Sequence, residues 1–308
     1  MIDNDRWGII YCPKQGIRRS TRRWEQLQEA LDAAGIAYDF VQSESPESVG
    51  RLTTMLCRAG YRTLIVCGGD GALNRAVCAV MEQPADEVAQ TAIGVIPGGR
   101  GNDFATFWGF SEKDDRQTVA WLRQRRLRRI DVGYISCTDG SGTTYFINCV
   151  NIGLVANILK LKYRSRRIAV LATLTYIGNM LQLMFQRPQT RVRLHVNEET
   201  IEQKAMNICV GNASGYGQTP SAVPYNGMLD VSIVSHPKVT GLIIGLWKLL
   251  TRRFLGHKNV RAYRTPRPIA VADIHSAGVA TDGRVRPDIH APFEIGILPE
   301  HLNFIIPA

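Results

Sequence analysis

Two glycine-rich stretches carry the residues of this sequence that are best suited to chemistry. The first, LIVCGGDGALNRAV, covers residues 64–77, and the second, IGVIPGGRGNDFA, covers residues 93–105. In each stretch a short apolar run typical of a buried strand ends in glycines, and a helix-like pattern follows. Glycines let a backbone approach a ligand closely, and the amides that open the next helix point at an anion. The pattern therefore favours two phosphate-binding loops.

Asp70 lies among the glycines of the first loop. Its carboxylate would repel a phosphate, so direct contact with one is not expected. A carboxylate at this place is suited to holding a cation or a metal-bound water. A helix cap is the other role open to it. Both loops would lie at the carboxyl ends of neighbouring strands, where open α/β sheets bind their ligands.

The elements that must position these loops alternate between strand and helix over the first 130 residues. Strands are predicted at 7–11, 37–41, 64–67 and 93–96. Helices are predicted at 21–33 with Ser20 or Thr21 as cap, between Pro46 and Gly60, after each glycine loop, and at 114–126. This order predicts a parallel, doubly wound α/β sheet.

The pattern changes near residue 128 to strands with few helices between them. Strands are predicted at 129–136, 144–150, 190–196, 200–210, 228–234, 268–272, 279–281 and 293–298. We therefore expect a second, mostly antiparallel domain. The predicted domains are residues 1–129 and 130–300.

Composition and charge limit the class of protein. The chain has 308 residues, of which 45% are hydrophobic and 21% charged, as in ordinary globular proteins with two domains. Its formal charge of +10 favours an acidic partner, which is a nucleic acid, an anionic membrane surface or a nucleotide. Nucleic acid ranks last, because the basic residues are not interleaved with aromatic ones.

Cysteine usage and the amino-terminal residues indicate a cytoplasmic protein. The seven cysteines form no Cys-x-x-Cys pair and are interpreted as reduced core residues. Acidic residues stand where a signal peptide would be basic, so secretion is not expected. The six histidines lack metal-ligand spacing, and the arginine-rich stretches at 123–129 and 164–167 are typical of solvated faces.

Two apolar segments raise the question of membrane contact. Residues 168–185 carry no charge, but they include several polar residues and are interpreted as a segment that does not span a membrane. Residues 240–257 have the pattern of a basic amphipathic helix, with Lys248, Arg252 and Arg253 off the apolar face. Packing of this helix on the sheet is favoured over membrane contact, and both alternatives stay open.

Together with five further motifs, the glycine loops resemble the diacylglycerol kinase catalytic-domain family. The family includes bacterial diacylglycerol kinases and related lipid kinases such as sphingosine kinases. The motifs occur in the family's order: GGDGALN (68–74), PGGRGNDFA (97–105), IDVG (130–133), YFIN with Asn151 and Gly153, VGNASGYG (210–217), NGMLDV (226–231) and TDG (281–283). A single GGDG loop would be weak support, because NAD kinases share it.

The resemblance implies an amino-terminal nucleotide-binding α/β domain and a carboxyl-terminal, sandwich-like β-rich domain with the active site in the cleft between them. It also implies that the tail at 301–308 packs on the first domain. The implied reaction is transfer of the ATP γ-phosphoryl group to a lipid hydroxyl with Mg²⁺. The implied roles follow the motifs. Asp70 is implied to belong to the magnesium and water network, and Asp282 is implied to lie at the transfer point. Contact with the nucleotide is implied for Gly68, Gly69, Asp70, Gly71, Asn74, Gly99, Arg100, Asn102 and Gly283.

The resemblance also implies a structural metal loop with ligands at Val223, Asn226 and Met228. Asn226 stands where the family usually has an aspartate. At three other positions this chain has an arginine where the family usually has another residue. Arg75 replaces a glutamate, Arg100 replaces a threonine, and Arg284 replaces a glutamate that is proposed as general base in relatives. Cys12 stands where an asparagine is usual before the proline. The arginines would add positive charge near phosphates, and Asp282 stays available as a proton acceptor.

Three classes of function stay open. The favoured one is a peripheral, ATP- and Mg²⁺-dependent lipid kinase of the cytoplasm and inner membrane face, acting on diacylglycerol or a similar lipid alcohol such as a sphingoid base or ceramide. The second is a small-molecule kinase of the NAD kinase type. The third is a catalytically weakened nucleotide-binding or lipid-binding protein. A second copy of the chain, forming a homodimer, is a further partner that stays open.

Overall fold

The computed structural model describes most of the chain in two units. It describes residues 6–13, 17–99, 101–112, 114–138, 140, 142–165, 189–214, 217–235, 241, 244, 245, 248, 251, 253–275 and 277–307. The first unit comprises residues 1–132 and 299–308, and the second comprises residues 133–298. The first unit therefore extends to residue 132, three residues beyond the predicted boundary at residue 129.

The first unit alternates strands and helices. Its elements are β1 (Trp7–Tyr11), α1 (Ile17–Ala33), β2 (Tyr38–Gln42), α2 (Ser48–Arg58), β3 (Thr63–Gly68), α3 (Asp70–Met81), α4 (Ala85–Gln90), β4 (Ala92–Pro97), α5 (Asp103–Phe107), α6 (Asp115–Arg123) and the start of β5 (Leu127–Cys137). The strands form a parallel sheet in the order β2-β1-β3-β4. The last residues of β16 (Phe293–Ile305) add a further parallel strand beside β4.

Burial explains why these strands read as continuous apolar runs. Every residue of β1, β3 and β4 is buried, whereas β2 at the edge of the sheet is mostly exposed. Parallel strands covered on both faces require side chains that avoid water on either side. Val119 and Leu122 of α6 are buried as predicted. The predicted parallel, doubly wound sheet is confirmed in this unit.

Helix bounds differ from the prediction at three places, one of which is the end of α6 at Arg123 rather than at residue 126. The predicted cap at Ser20 or Thr21 is wrong, because α1 begins at Ile17 and includes both residues. Ser45 and Pro46 lie in the turn before α2, which begins at Ser48. At the start of α6 the predicted boundary is confirmed, since the Asp114 side chain accepts a hydrogen bond from Gln117 N at 2.9 Å.

The second unit is a sandwich of antiparallel sheets. Its elements are the end of β5, β6 (Thr143–Phe146), β7 (Cys149–Gly153), α7 (Leu154–Ser165), β8 (Thr190–Val196), β9 (Glu199–Ala205), β10 (Asn207–Gly211), β11 (Leu229–Val234), β12 (Val260–Thr265), β13 (Ile269–Asp273), β14 (Val279–Thr281), β15 (Arg284–Val285) and the start of β16. One sheet has the order β12-β11-β10-β7-β14-β15. The other joins the start of β16 to β13, β8 and β9, with β5 and β6 beside β16.

The core of this unit lies between its two sheets. Inward residues such as Val210 and Val231 of one sheet share a buried cluster with Val192, Leu194 and Ile295 of the other. Along β8 buried and exposed residues alternate, as expected for a strand with one face in the core. The prediction of a β-rich, sandwich-like second half is confirmed.

Two of the predicted strands are wrong because each is divided between the sheets. The predicted strand 144–150 is β6 and β7, and the predicted strand 200–210 is β9 and β10. The chain crosses from one sheet to the other near residues 147–148 and at Met206 without a glycine or proline to mark the break. β12 and α7 were not predicted.

The apolar segment 168–185 and most of the segment 240–257 lie outside the described residues. Among the helices that the structure describes, none is long and apolar enough to cross a membrane.

The second unit supplies a test of its packing at Gly133. In the β5–β6 pair Gly133 lies opposite Phe146, and a Cβ atom on Gly133 would lie 2.2 Å from the phenyl ring. Gly133→Ala should therefore lower the free energy of unfolding by about 1–3 kcal/mol, because the fully buried ring must move. The measurement is urea-induced unfolding followed by circular dichroism.

Gly50→Ala is the matched control for this substitution. A Cβ atom on Gly50 of α2 would have 3.9 Å to its nearest neighbour, Arg75 O. Alanine in a helix should raise stability by about 0.5–1 kcal/mol here. Equal stability of the two variants would contradict the packing described for Gly133.

Candidate active site

The two glycine loops lie side by side in the first unit. β3 ends at Gly68 and α3 begins at Asp70, while β4 ends at Pro97 and α5 begins at Asp103. Gly68 and Pro97 are paired at the ends of these neighbouring parallel strands. The strand, loop and helix order predicted for both stretches is therefore confirmed, and both loops lie at the carboxyl edge of the sheet.

Close contact between the two backbones explains the glycines. Gly98 N donates a hydrogen bond to Gly68 O at 2.8 Å. A Cβ atom on Gly69 would lie 2.8 Å from Gly99 Cα, and one on Gly99 would lie 2.5 Å from Gly69 Cα. Real Cβ atoms do not approach a backbone atom so closely. A side chain at either position would push the loops apart.

Asp70 ties the first loop to the second. Its Oδ2 accepts a hydrogen bond from Asp103 N and its Oδ1 accepts one from Phe104 N, both at 3.1 Å. These amides begin α5, so the carboxylate caps a helix that starts 33 residues later in the chain. A carboxylate has about four acceptor sites. Asp70 therefore keeps acceptor capacity for a cation or a bound water.

Asn102 shapes the second loop. Its φ of 56° is left-handed, a conformation that asparagine adopts more readily than most residues. Its Oδ1 accepts a hydrogen bond from Gly99 N at 2.8 Å, and its Nδ2 donates to Gly99 O at 3.2 Å. Nδ2 also donates to Glu112 Oε1 at 2.6 Å. Asn102 thus closes the turn from Gly99 onwards, and its side chain is held by an acid outside the loop.

Arg23 of α1 adds a cation at the same edge of the sheet, which sequence reasoning missed. Its Nη2 donates to Pro97 O at 2.5 Å and to Asp115 Oδ1 at 3.3 Å, and its Nη1 lies 4.0 Å from Glu112 Oε2. Burial raises the pKa of the Asp115 carboxyl, although the Arg23 guanidinium acts in the opposite direction. These groups connect α1 and α6 to the end of β4.

Arg75 has a partner that the sequence did not indicate. It is 8% exposed, its Nη2 lies 3.3 Å from Glu47 Oε1, and its Nη1 donates to Gly71 O at 3.4 Å. The proposed contact of Arg75 with phosphate would therefore require this ion pair to open. Asn74 is buried in α3, and Arg100 lies outside the described residues.

Cys12, which replaces an asparagine in the family pattern, lies against the first loop. A Cβ atom on Gly68 would lie 3.3 Å from Cys12 Cβ and 3.5 Å from its Sγ. Burial raises the pKa of the Cys12 thiol, so the group is uncharged at neutral pH.

Asp282 and Gly283 form the turn of the β14–β15 hairpin in the second unit. Thr281 pairs with Arg284, and both turn residues have positive φ, 44° and 77°, as in a type I′ turn. The Asp-Gly pair thus forms the two-residue turn of this hairpin. Arg284 is exposed at the start of β15.

The Asp282 carboxylate is 2% exposed and accepts three backbone hydrogen bonds. Ile147 N donates to its Oδ2 at 2.8 Å, and Asn148 N and Cys149 N donate to its Oδ1 at 2.9 and 2.8 Å. These amides lie where the chain crosses from β6 to β7. Asp282 therefore stabilises the crossing, and its expected availability as a proton acceptor is reduced because both oxygens are engaged.

The motif residues Asn151 and Asn212 lie among buried side-chain amides beside this crossing. Asn207 Nδ2 donates to Gln218 Oε1 at 2.8 Å and to Asn151 Oδ1 at 3.2 Å, and Gln218 Nε2 donates to Asn151 Oδ1 at 2.9 Å. Asn212 Nδ2 donates to Ile147 O at 3.0 Å. Buried amides need such partners. In this chain these motif residues hold β7, β10 and the following loop together.

The expected metal loop is a turn before β11. Asn226 Oδ1 accepts a hydrogen bond from Met228 N at 3.0 Å, and Val223 O accepts one from Tyr225 N at 2.8 Å. The expected ligands are neutral oxygens, two of which already accept hydrogen bonds, so they fit poorly to Mg²⁺, which is normally bound through carboxylates. Among the described residues, no group of three or more His, Cys, Asp or Glu side chains is placed to hold a metal.

The structure thus brings Gly68, Gly69, Asp70, Gly99 and Asn102 together in the first unit. In the second unit it brings Asp282 and Gly283 to the crossing at residues 147–149.

The role found for Asp282 can be tested by its amide counterpart. Asp282→Asn should lower the stability of the second unit by about 2–4 kcal/mol, because an amide cannot accept all three buried N–H groups. The measurement is urea-induced unfolding. Asp288→Asn is the control, since the exposed Asp288 carboxylate is paired with Arg286 and should contribute under about 1 kcal/mol. Equal effects of the two substitutions would contradict the role assigned to Asp282.

Family models match the chain over both units. The diacylglycerol kinase catalytic domain matches residues 6–135, and the YegS C-terminal NAD kinase beta sandwich-like domain matches residues 148–306. The crystal structure of a diacylglycerol kinase from Bacillus anthracis matches with a TM-score of 0.71 and 19% identity, covering 98% of this chain and 97% of that one. The structural match supports the fold.

Curated relatives agree with these models. A diacylglycerol kinase from Staphylococcus saprophyticus is 23% identical over 219 residues, covering 70% of this chain and 67% of that protein. A protein from Pectobacterium atrosepticum named "Probable lipid kinase YegS-like" is 26% identical over 250 residues, covering 79% and 78%. With the two glycine loops and the sandwich in place, the chain belongs to the diacylglycerol kinase catalytic-domain family.

Proposed function

We propose that the protein is an ATP-dependent and Mg²⁺-dependent lipid kinase. It would transfer the γ-phosphoryl group of ATP to the hydroxyl of diacylglycerol or of a similar lipid alcohol, such as a sphingoid base or ceramide. The observation that carries the proposal is the pair of glycine loops clasped by Asp70 at one sheet edge, in a chain whose family models span both units. We place the enzyme in the cytoplasm, in peripheral contact with the inner membrane face.

The glycine loops are suited to the nucleotide phosphates. The absence of side chains at Gly68, Gly69 and Gly99 lets a bound anion approach the loop backbone closely, although Gly99 N is already bonded to Asn102 Oδ1. The amino terminus of α3 follows directly, and its partial positive charge favours phosphate there. Phosphoryl transfer depends mainly on positioning and charge neutralisation, which rigid loops provide.

Asp70 fits a place near the metal. Two of its acceptor sites hold the amides of α5, and the remaining sites can accept hydrogen bonds from metal-bound water. When bound, Mg²⁺ neutralises phosphate charge during transfer. The turn at residues 223–228 lacks a carboxylate, so we assign no metal to Val223, Asn226 or Met228.

Proton removal from the lipid hydroxyl is a secondary requirement in this chemistry. We propose that Asp282 supports the transfer point by holding the chain at residues 147–149, and that it accepts a proton only with loss of a hydrogen bond from a backbone amide. Arg284 is exposed on the next strand and is proposed to neutralise phosphate charge.

Two alternative functions have specific support. A small-molecule kinase of the NAD kinase type is favoured by the description of the matching carboxyl-terminal domain as NAD kinase beta sandwich-like. A catalytically weakened homologue is favoured by the engaged Asp282 and the neutral turn around Asn226.

One experiment separates these functions. The purified protein is incubated with γ-labelled ATP, Mg²⁺ and a panel of detergent-solubilised lipids, with NAD in a parallel reaction. Label in one lipid supports the proposal, and label in NAD supports the second function. ATP binding without label in any acceptor supports the weakened homologue.

Asp70→Asn tests the metal role of this residue. The amide keeps the volume but loses the charge and one of the two hydrogen bonds to α5. We expect kcat to fall by at least about 10²-fold, as for other groups that stabilise transition-state charge. The measurements are labelled-phosphate transfer and its dependence on Mg²⁺ concentration. Asp86→Asn, at an exposed position of α4, is the control. A near-normal kcat in Asp70→Asn would refute the role.

Arg284→Glu tests whether the arginine assists or marks a weakened site. If Arg284 neutralises phosphate charge, the substitution should raise the Michaelis constant for ATP and lower kcat, because an acid replaces a cation beside the phosphates. The measurement is steady-state kinetics against ATP. Arg261→Glu, at an exposed position of β12 in the same unit, gives the same change of charge as a control. Higher activity in Arg284→Glu would overturn the assigned role and favour the weakened homologue.

A further inference from the structure

The second glycine loop is held from outside by two charged side chains to which the proposed function gives no role. The loop runs from Pro97 to Asn102. At its start Arg23 Nη2 donates a hydrogen bond to Pro97 O at 2.5 Å, and at its end Asn102 Nδ2 donates one to Glu112 Oε1 at 2.6 Å. We name Arg23 of α1 and Glu112 of the turn before α6 the loop brace.

Partial burial favours the contacts of the loop brace. The side chains of Arg23 and Glu112 are 22% and 32% exposed, and Arg23 Nη1 lies 4.0 Å from Glu112 Oε2. Arg23 Nη2 also lies 3.3 Å from Oδ1 of Asp115, whose side chain is 18% exposed. Charges that are shielded from water are screened less than charges on an open surface. The two ends of the loop are therefore held by one connected group of charges.

Glu112 decides which way the Asn102 amide points. The last torsion of an asparagine side chain is broad, so its oxygen and nitrogen can exchange places. Here Asn102 Oδ1 accepts a hydrogen bond from Gly99 N at 2.8 Å, while Nδ2 faces the Glu112 carboxylate. The reversed amide would place two donors together at Gly99 and two acceptors together at Glu112. A charge-assisted hydrogen bond to Glu112 therefore fixes the orientation that closes the turn.

The same bond holds the two glycine loops together. Asn102 has a left-handed φ of 56°, which a residue other than glycine adopts only when other contacts compensate for it. A Cβ atom on Gly69 would lie 2.8 Å from Gly99 Cα, so the loops touch at this point. If Asn102 returned to an extended backbone, Gly99 would move and this contact would be lost.

We propose that Arg23 and Glu112 are positioning residues for the nucleotide. They hold the second loop against the first before ATP arrives, Arg23 through Pro97 O and Glu112 through the Asn102 amide. The inference rests on the proposed function, in which both loops receive phosphates. Ordering a loop during binding costs free energy, and a loop that is already held avoids this cost.

Glu112→Ala tests the end of the loop. It should speed exchange of the Gly99 amide hydrogen by at least about tenfold, because the lost hydrogen bond involves a charged group. The dissociation constant for ATP with Mg²⁺ should rise by about tenfold. The measurements are NMR of the isotope-labelled full chain without nucleotide, and calorimetric titration with ATP. Glu29→Ala, at an exposed position of α1, is the control.

Glu112→Gln separates positioning from a general loss of stability. Glutamine keeps an acceptor for Asn102 Nδ2, so both the exchange rate and the dissociation constant should stay within about threefold of the wild-type values. Equal effects of alanine and glutamine, or unchanged exchange at Gly99 in Glu112→Ala, would overturn the role of Glu112.

Arg23→Met tests the start of the loop. Gly98 N donates to Gly68 O at 2.8 Å, and release of the neighbouring Pro97 O should speed exchange of the Gly98 amide hydrogen and raise the dissociation constant for ATP, each by about tenfold. Arg22→Met, at the exposed neighbouring position, is the control. Effects no larger than those of the control would overturn the role of Arg23.

A second variant serves if urea-induced unfolding shows that Arg23→Met does not fold. Arg23→Lys keeps the charge beside Asp115 but loses the planar fork that reaches several acceptors. Its exchange rate at Gly98 and its dissociation constant for ATP should change in the same direction, and wild-type values for both would overturn the role.

The outcomes separate this inference from the proposed function. Faster exchange in the loop with an unchanged dissociation constant for ATP would refute the positioning role and leave the kinase proposal intact. A wild-type chain that does not bind ATP would refute the proposed function and, with it, the positioning role.

Discussion

The candidate site depends on the approach of two backbones at Gly69 and Gly99. A Cβ atom on either glycine would lie under 3 Å from the other backbone, so the loops touch only while both positions lack side chains. The pairing of β3 with β4 brings the loops to the same edge, and Asp70 then joins the first loop to the start of α5. Glycine is required here by packing, and in the proposed function the same glycines let a phosphate approach the loop backbone.

Asp70 and Asp282 do the same physical work in the two units. Each carboxylate accepts backbone amides from a distant part of the chain: residues 103 and 104 for Asp70, and residues 147–149 for Asp282. A charged acceptor forms stronger hydrogen bonds to amides than a neutral one. The acidic motifs of this chain are therefore structural in the first place, and any chemistry must use the acceptor sites that the amides leave.

Local patterns were enough to predict the elements around the loops. Buried strands and glycine breaks have period and composition signals, so β3 and β4 were predicted within one residue and a helix was predicted after each loop. The division of residues 144–150 between two sheets was not predictable, because the apolar alternation continues through the crossing. The contacts of Arg23 with Asp115 and of Asn102 with Glu112 join positions distant in the sequence, for which no local signal exists.

The arginines that replace family residues do not all have the effect that their positions suggested. Arg75 is nearly buried, and its guanidinium lies against Glu47, so its charge is balanced by an acid of the same unit. Arg23, which no motif marked, lies at the end of β4 between Asp115 and Glu112. The described arginines at this edge thus have their charge balanced by ion pairs. Because paired cations attract a phosphate less than unpaired ones do, the proposed function assigns the larger share of phosphate binding to the backbone of the loops.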